Sequence, residues 1–241
     1  MATATDDFNR ADANPATGWT SYGTEGNVKT LTNKLRNTTD ANDIASYLTA
    51  LTPASTEEYA QAKLYCNAGA YSDQDGPGLA VRMATGAVTY YRLVCHNNDA
   101  TTNCYVHRKN AGSNAVIGSF SQSWSDGDTW KLEVTGTGAT VTLKSYLNGV
   151  LKSTLTDSNA SRITAAGRCG IAYSAEGAGL SSDWDDWEGG DIASGATGTA
   201  APALQPLAAS ATGVMQPSGT AAPVLQALQS AAAGTQTQTG T

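Results

Sequence analysis

In residues 60–66, Ala60, Ala62, Leu64 and Cys66 alternate with Gln61, Lys63 and Tyr65. A period of two sends every second side chain to the same side, so such a segment is stable as a strand with one face buried. The alternation returns in residues 79–83, where Leu79, Val81 and Met83 oppose Ala80 and Arg82, and in residues 130–135, where Trp130, Leu132 and Val134 oppose Lys131, Glu133 and Thr135. No apolar stripe at helical spacing accompanies these runs. Residues 87–95 (AVTYYRLVC) are apolar or aromatic on both sides, which predicts a strand inside a sheet with both faces covered. Asn148-Gly149 lies between two alternating runs, and this dipeptide takes the positive φ angles of a type I′ hairpin turn. Residues 168–174 and 180–188 read as the last two strands, and Gly189-Gly190 ends the pattern. Short strands separated by Gly, Asp and Asn predict an all-β antiparallel sandwich, a jelly roll, over residues 1–191.

Composition excludes several classes. A net charge of −7 argues against nucleic acid as a partner, because phosphate tracking needs clustered Lys and Arg. The opening MATATDDFNR has neither the basic nor the apolar region of a secretion signal, and no apolar run is long enough to span a bilayer. The expectation is a soluble chain without membrane insertion. Four cysteines, Cys66, Cys95, Cys104 and Cys169, are too few for a disulfide framework and read as core filler. If two of them pair, Cys95 and Cys104 come first, because they flank the loop 96–103.

The opening DDFNRADANPATGW, the SWSDGDTWKLEV strand with its hairpin KSYLNGVLKS, the RCGIAYS strand and the closing DWDDWEGGD together resemble the concanavalin A-like lectin/glucanase superfamily. The resemblance implies a jelly roll whose first and last strands pair, placing Phe8 near Trp184 or Trp187. It also implies a concave face that in many members binds glycans.

One glycosidase branch of that superfamily carries E-x-D-x-x-E, and Asp183-x-Asp185-x-x-Glu188 is the nearest match here. It has Asp at the nucleophile position, and on a regular strand Glu188 faces away from Asp183 and Asp185 unless a bulge turns it back. The expectation is therefore no enzymatic activity, with the acidic run as a solvent-facing edge and Trp184 and Trp187 packed on opposite faces. Metal and cofactor sites are not expected. Asp183 and Asp185, with Asp73 and Asp75, lack a calcium-loop spacing. In Cys95, His96, Cys104 and His107, strand alternation sends Cys104 and His107 to opposite sides. For glycan contact the candidates are Tyr90, Tyr91, Tyr105 and Trp124, because a pyranose presents an apolar C–H face to an aromatic ring; Trp130 and the loop residues Asn97, Asn98, Asp99 and Asn103 stand beside them.

From residue 192 to 241 the chain has no charged residue, histidine or aromatic residue. GTAAPALQPLAASATG (198–213) recurs as GTAAPVLQALQSAAAG (219–234), with Leu204 and Leu207 in register with Leu225 and Leu228. Small-residue composition alone suits a flexible linker. A segment with no charge lacks the usual means of staying solvated, however, and two repeats cannot bury a core by themselves. Residues 192–241 therefore read as an assembly or anchoring tail whose four leucines meet other chains. Four prolines favour extended segments, although 223–233 also suits a short helix. The tail is similar to segments of bacteriophage virion proteins. That resemblance implies a non-enzymatic virion structural protein, a capsid decoration or a tail appendage or fibre component. It would be made in the host cytoplasm, displayed on the particle surface, and partnered by other virion proteins, copies of itself and a host surface glycan. The alternative is a carbohydrate-binding module that recognises a cell-surface glycan.

Overall fold

The computed structural model describes residues 1–21, 27–37, 44–66, 76–85, 88–96, 103–174 and 182–193. The chain divides into two units, Met1–Thr197 and Gly198–Thr241, and every described residue belongs to the first. Leu204, Leu207, Leu225 and Leu228 lie outside the described residues.

Fifteen strands form two antiparallel sheets, and no helix occurs among the described residues. They are β1 (Thr3–Asp6), β2 (Trp19–Ser21), β3 (Val28–Leu31), β4 (Lys34–Asn37), β5 (Ile44–Leu48), β6 (Glu58–Cys66), β7 (Gly76–Met83) and β8 (Tyr90–Cys95). The remainder are β9 (Cys104–Asn110), β10 (Ser113–Phe120), β11 (Asp128–Thr135), β12 (Val141–Leu147), β13 (Val150–Asp157), β14 (Arg168–Ser174) and β15 (Ser182–Asp191). One sheet runs β13-β12-β11-β6-β15-β4-β3 with β1 also on β15; the other runs β10-β9-β8-β7-β14-β5-β2. This is the antiparallel sandwich that the alternation predicts.

The sheets face each other across one core. Ala60, Ala62 and Leu64 of β6, Trp130, Leu132 and Val134 of β11, and Leu143 of β12 meet Leu79, Val81, Leu93, Val106 and Ile171 of the opposite sheet. At Asn148-Gly149 the φ angles are +50° and +76°, as a type I′ hairpin requires. Strand β8 is an interior strand buried on both sides, as its sequence indicates. At Gly170 a Cβ atom would lie 2.1 Å from the Ser46 carbonyl oxygen, so only glycine lets β14 and β5 approach this closely.

The first strand pairs with the last, Asp6 opposite Trp187, and Trp19 joins Phe8 (5.8 Å between ring centroids) to Trp187 (5.3 Å). The Asp191 carboxylate accepts the N–H groups of Ala2, Ala54 and Ser55, tying β1 and the 54–55 segment to the end of β15.

A buried charged network closes one end of the core. Arg82 has φ +52°, and its guanidinium donates to the carbonyls of Thr56, Ile163 and Gly136. Fully buried Glu58 accepts the backbone N–H groups of Arg82 and Gly167 and the Cys169 thiol. Burial pushes the Glu58 carboxyl up to about 7 from its ordinary 4.5, against the two backbone donors and the Arg82 charge. Burial likewise pulls the Arg82 pKa down, with Glu58 opposing.

The folded chain thus keeps the Glu58 proton up to about pH 7, whereas the unfolded chain releases it near 4.5. Stability from this group is complete below the lower value and is lost as pH rises through the higher one, a change on the order of 3 kcal/mol. Denaturant titrations between pH 4.5 and 7 should show stability falling with pH in the natural protein. Glu58→Gln, which cannot ionise, should remove that part of the slope; an unchanged slope would assign the dependence to other groups.

Candidate functional site

The aromatic residues singled out in the sequence are buried. Tyr91 is fully buried, donates its hydroxyl to Asp157 at 2.8 Å and accepts the Ile163 N–H at 2.9 Å. Asp157 is held in turn by Arg108 at 2.7 Å, so Tyr91 belongs to an internal polar cluster. Tyr90 lies on the outer side of the seven-stranded sheet, fully buried among Ala45, Ala80, Met83 and Ala172. Tyr105, 8% exposed, is flanked by His96 and His107, with ring centroids 6.0 and 6.1 Å away. Trp124, 7% exposed, packs edge-on against buried Trp130 inside the core. None of these four rings is more than 8% exposed. Of the loop candidates, Asn103 pins Gln122 through both ends of its amide. Asn97, Asn98 and Asp99 lie outside the described residues.

The open polar surface is the outer side of the eight-stranded sheet. It is built from β6, whose core-facing Ala60, Ala62 and Leu64 leave Tyr59, Gln61, Lys63 and Tyr65 on the other side. Register extends the surface across neighbouring strands. Gln61 stands opposite Lys131 and Glu188, Tyr59 opposite Glu133, Lys63 opposite Asp185, and Tyr65 opposite Asp183. Farther along, Tyr146 stands opposite Lys131 and Lys144 opposite Glu133.

A bulge in β15 decides which acidic residues join this surface. Pairing with β6 shifts register between Asp185 and Glu188, and the extra residue, Asp186, has φ +47°. Trp184 and Trp187 consequently both enter the core, which corrects the expectation that they pack on opposite faces. Asp183, Asp185 and Glu188 all turn outward. Strand β15 is also not an edge, because β6 flanks it on one side and β4 and β1 on the other.

Each outward carboxylate has partners. Arg36 holds Asp183 through two N–H groups, at 2.5 and 2.7 Å. Glu188 accepts the Tyr59 hydroxyl and, at 2.9 Å, the Gln61 amide. Asp186 pairs with Lys63 at 2.6 Å. Glu133 accepts from Lys131 at 2.6 Å and from the Tyr146 hydroxyl at 2.7 Å. Burial and the Glu188 charge raise the Tyr59 pKa. Burial and Glu133 push Tyr146 up to about 12. Burial also raises Asp185, and the neighbouring Asp186 charge adds to it. Lysine ammonium groups lie over the rings, Lys34 at 3.5 Å from the Tyr65 centroid and Lys131 at 4.6 Å from Tyr59.

Beside Glu188 the surface sinks into an open depression of about 460 Å³, lined by Thr5, Asp6, Asp7, Asp186, Trp187 and Glu188. Asp6 is committed to Arg10, the Phe8 N–H and the Trp19 indole N–H. Among the described residues no three acidic, histidine or cysteine side chains gather as metal ligands. Cys95 and Cys104 face the core while His96 and His107 flank Tyr105, so the four do not share a coordination sphere. Asp73 and Asp75 lie outside the described residues.

Tyr65 and Tyr146, both half-buried, were not singled out from the sequence. The signal was present for Tyr65, which occupies the polar phase of β6; Tyr59 shares that phase but is only 8% exposed.

No protein-family model matches the chain, and no curated protein matches its sequence. Its fold is similar to that of the carbohydrate-binding module CBM66 from Bacillus subtilis, with TM-score 0.51 and 16% identity over 71% of this chain and 95% of that one. It is also similar to lectin UEA-II, solved with galactose, with TM-score 0.50 and 9% identity over 79% and 98% of the two chains. The Lotus tetragonolobus seed lectin gives TM-score 0.50 and 10% identity over 78% and 96%. At such identities the likeness establishes a lectin-like sandwich and nothing finer.

Deleting Asp186 tests the role of the bulge. In the shortened strand Trp184, Asp185, Trp187 and Glu188 follow one another, so regular alternation keeps both indoles inward and both carboxylates outward without any bulge. The expected readout is a folded variant whose tryptophan emission is not red-shifted. A red shift, reporting an indole turned to water, would mean that Asp186 is not the extra residue that aligns these faces.

Proposed function

We propose that this chain is a non-catalytic glycan-binding module of the lectin type, carried by a bacteriophage virion structural protein. The observation that carries the glycan reading is the surface of the eight-stranded sheet. There the half-buried Tyr65 and Tyr146 lie among an amide, ammonium groups and carboxylates, beside an open depression. A sugar needs both parts, a ring for its C–H face and paired polar groups for its hydroxyls. The lysines above the rings do not block this, since an exposed cation–π contact is worth only about 0.5–1 kcal/mol and a flexible lysine exchanges readily for a pyranose. The fold is shared with a protein described as a carbohydrate-binding module and with a lectin solved with galactose.

Absence of catalysis is part of the proposal. A retaining glycosidase needs two carboxyl groups about 5–5.5 Å apart, one ionised to attack and one protonated to donate. Here Asp183 is locked to Arg36 and both oxygens of Glu188 are taken by Tyr59 and Gln61. These carboxylates serve as fixed polar contacts.

The virion reading rests on a separate observation, the uncharged repeat of residues 198–213 in 219–234 with Leu204, Leu207, Leu225 and Leu228 in register. Its missing packing partners come from copies of the same chain or from other virion proteins. The β domain would then be displayed on the particle as a capsid decoration or tail fibre component.

Glycan-array screening of full-length protein should identify a bound glycan, with Tyr65→Ala and Tyr146→Ala each weakening binding about tenfold, the loss of roughly 1.4 kcal/mol per ring. No bound glycan, or undiminished binding by both variants, would overturn the assignment to this surface. Size-exclusion chromatography of the full chain against one ending at Thr197 tests the tail. The full chain should be oligomeric and the shortened one monomeric, and equal states would sink the assembly role.

A further inference from the structure

We propose that Cys95 and Cys104 are an oxidative modification site, a thiol pair that a peroxide converts into a disulfide joining β8 to β9. Cys95 is the last residue of β8 and Cys104 the first of β9, and the two stand directly opposite each other in the antiparallel register. Both are thiols in the structure, and both are buried on the core side of the sheet. The adjacent pair is hydrogen-bonded, the His96 N–H donating to the Asn103 carbonyl at 3.0 Å. Pair types alternate along an antiparallel ladder, so Cys95 and Cys104 occupy a non-hydrogen-bonded site. At such sites opposed Cα atoms approach to about 4.5 Å and the side chains come closest. That spacing falls inside the range of roughly 4.4–6.8 Å that a disulfide spans.

The other cysteines do not compete in this geometry. Cys169 belongs to β14, which is separated from β8 by β7, and its thiol already donates to Glu58. Burial drives the Cys169 pKa well up, which suppresses its thiolate. Cys66 ends β6 in the opposite sheet.

Position at the strand ends supplies access, because opening the last pair of β8 and β9 exposes both thiols without unfolding the core. One thiol attacks the O–O bond of hydrogen peroxide, giving a sulfenic acid and one water. The second thiol attacks that sulfur and displaces the hydroxyl, which leaves as water with the thiol proton. Two thiols and one peroxide yield one disulfide and two waters, the sulfurs being oxidised and the peroxide oxygens reduced. The bond clamps the connection through residues 96–103 at its base, next to the Tyr105 ring and its two histidines.

The test uses full-length protein treated with hydrogen peroxide, then alkylated in denaturant and digested with trypsin. Cleavage after Arg92 and Arg108 leaves both cysteines in one peptide, residues 93–108. The expected product is that peptide lighter by two hydrogens, with neither sulfur alkylated, reverting to a doubly alkylated form when dithiothreitol precedes alkylation. If the peptide remains doubly alkylated after peroxide, or either cysteine is found joined to Cys66 or Cys169, the proposal fails.

Discussion

One extra residue in β15 organises this molecule. The strand lies between β6 and the β4 and β1 strands, so its side-chain phase is felt by three neighbours at once. Asp186 interrupts that phase, and Trp184 and Trp187 both reach the core while Asp183, Asp185 and Glu188 share the outer surface. With Asp186 in the strand but no bulge, a carboxylate would enter the apolar interior and an indole would face water. Trp187 then receives Trp19, which receives Phe8, so the aromatic chain that anchors the first strand depends on the same bulge.

The strands with strong alternation were legible in the sequence because each has one face buried and one wet, and burial dictates residue type at every second position. The hairpin at Asn148-Gly149 was legible because its turn demands a backbone geometry that few residues tolerate. Strands β2 to β5 were not recognised, and β1 was anticipated only through the family resemblance. They have three to five residues each, too few for a periodic pattern, and are held by pairing with longer strands more than by their own composition. The burial of the glycan candidates was not legible for a related reason. Tyr90 and Tyr91 were visible as aromatic residues, yet adjacent residues on a strand must point to opposite sides, and here both sides of β8 are buried. Tyr65 stands in the polar phase of its strand and is half-buried, so strand phase guides better to an accessible ring than aromatic content does.

The two outer sheet faces therefore differ in kind. On the seven-stranded sheet, Tyr90, Arg92, Tyr105, His107 and Lys109 are all buried. On the eight-stranded sheet, tyrosine hydroxyls are tied to Glu188 and Glu133 and ammonium groups rest on the rings, leaving a half-exposed surface of fixed donors, acceptors and aromatic edges. A surface whose polar groups are already held in place loses little entropy when a ligand docks, which is the property a sugar-recognising face needs.

Tyrosine-selective NMR tests this division most directly. With ring carbons labelled in all ten tyrosines, spectra recorded during addition of a soluble glycan distinguish the two faces. The account predicts shifts at Tyr65 and Tyr146 while Tyr90 and Tyr91 stay unmoved; shifts confined to Tyr90, Tyr91 or Tyr105 would contradict it.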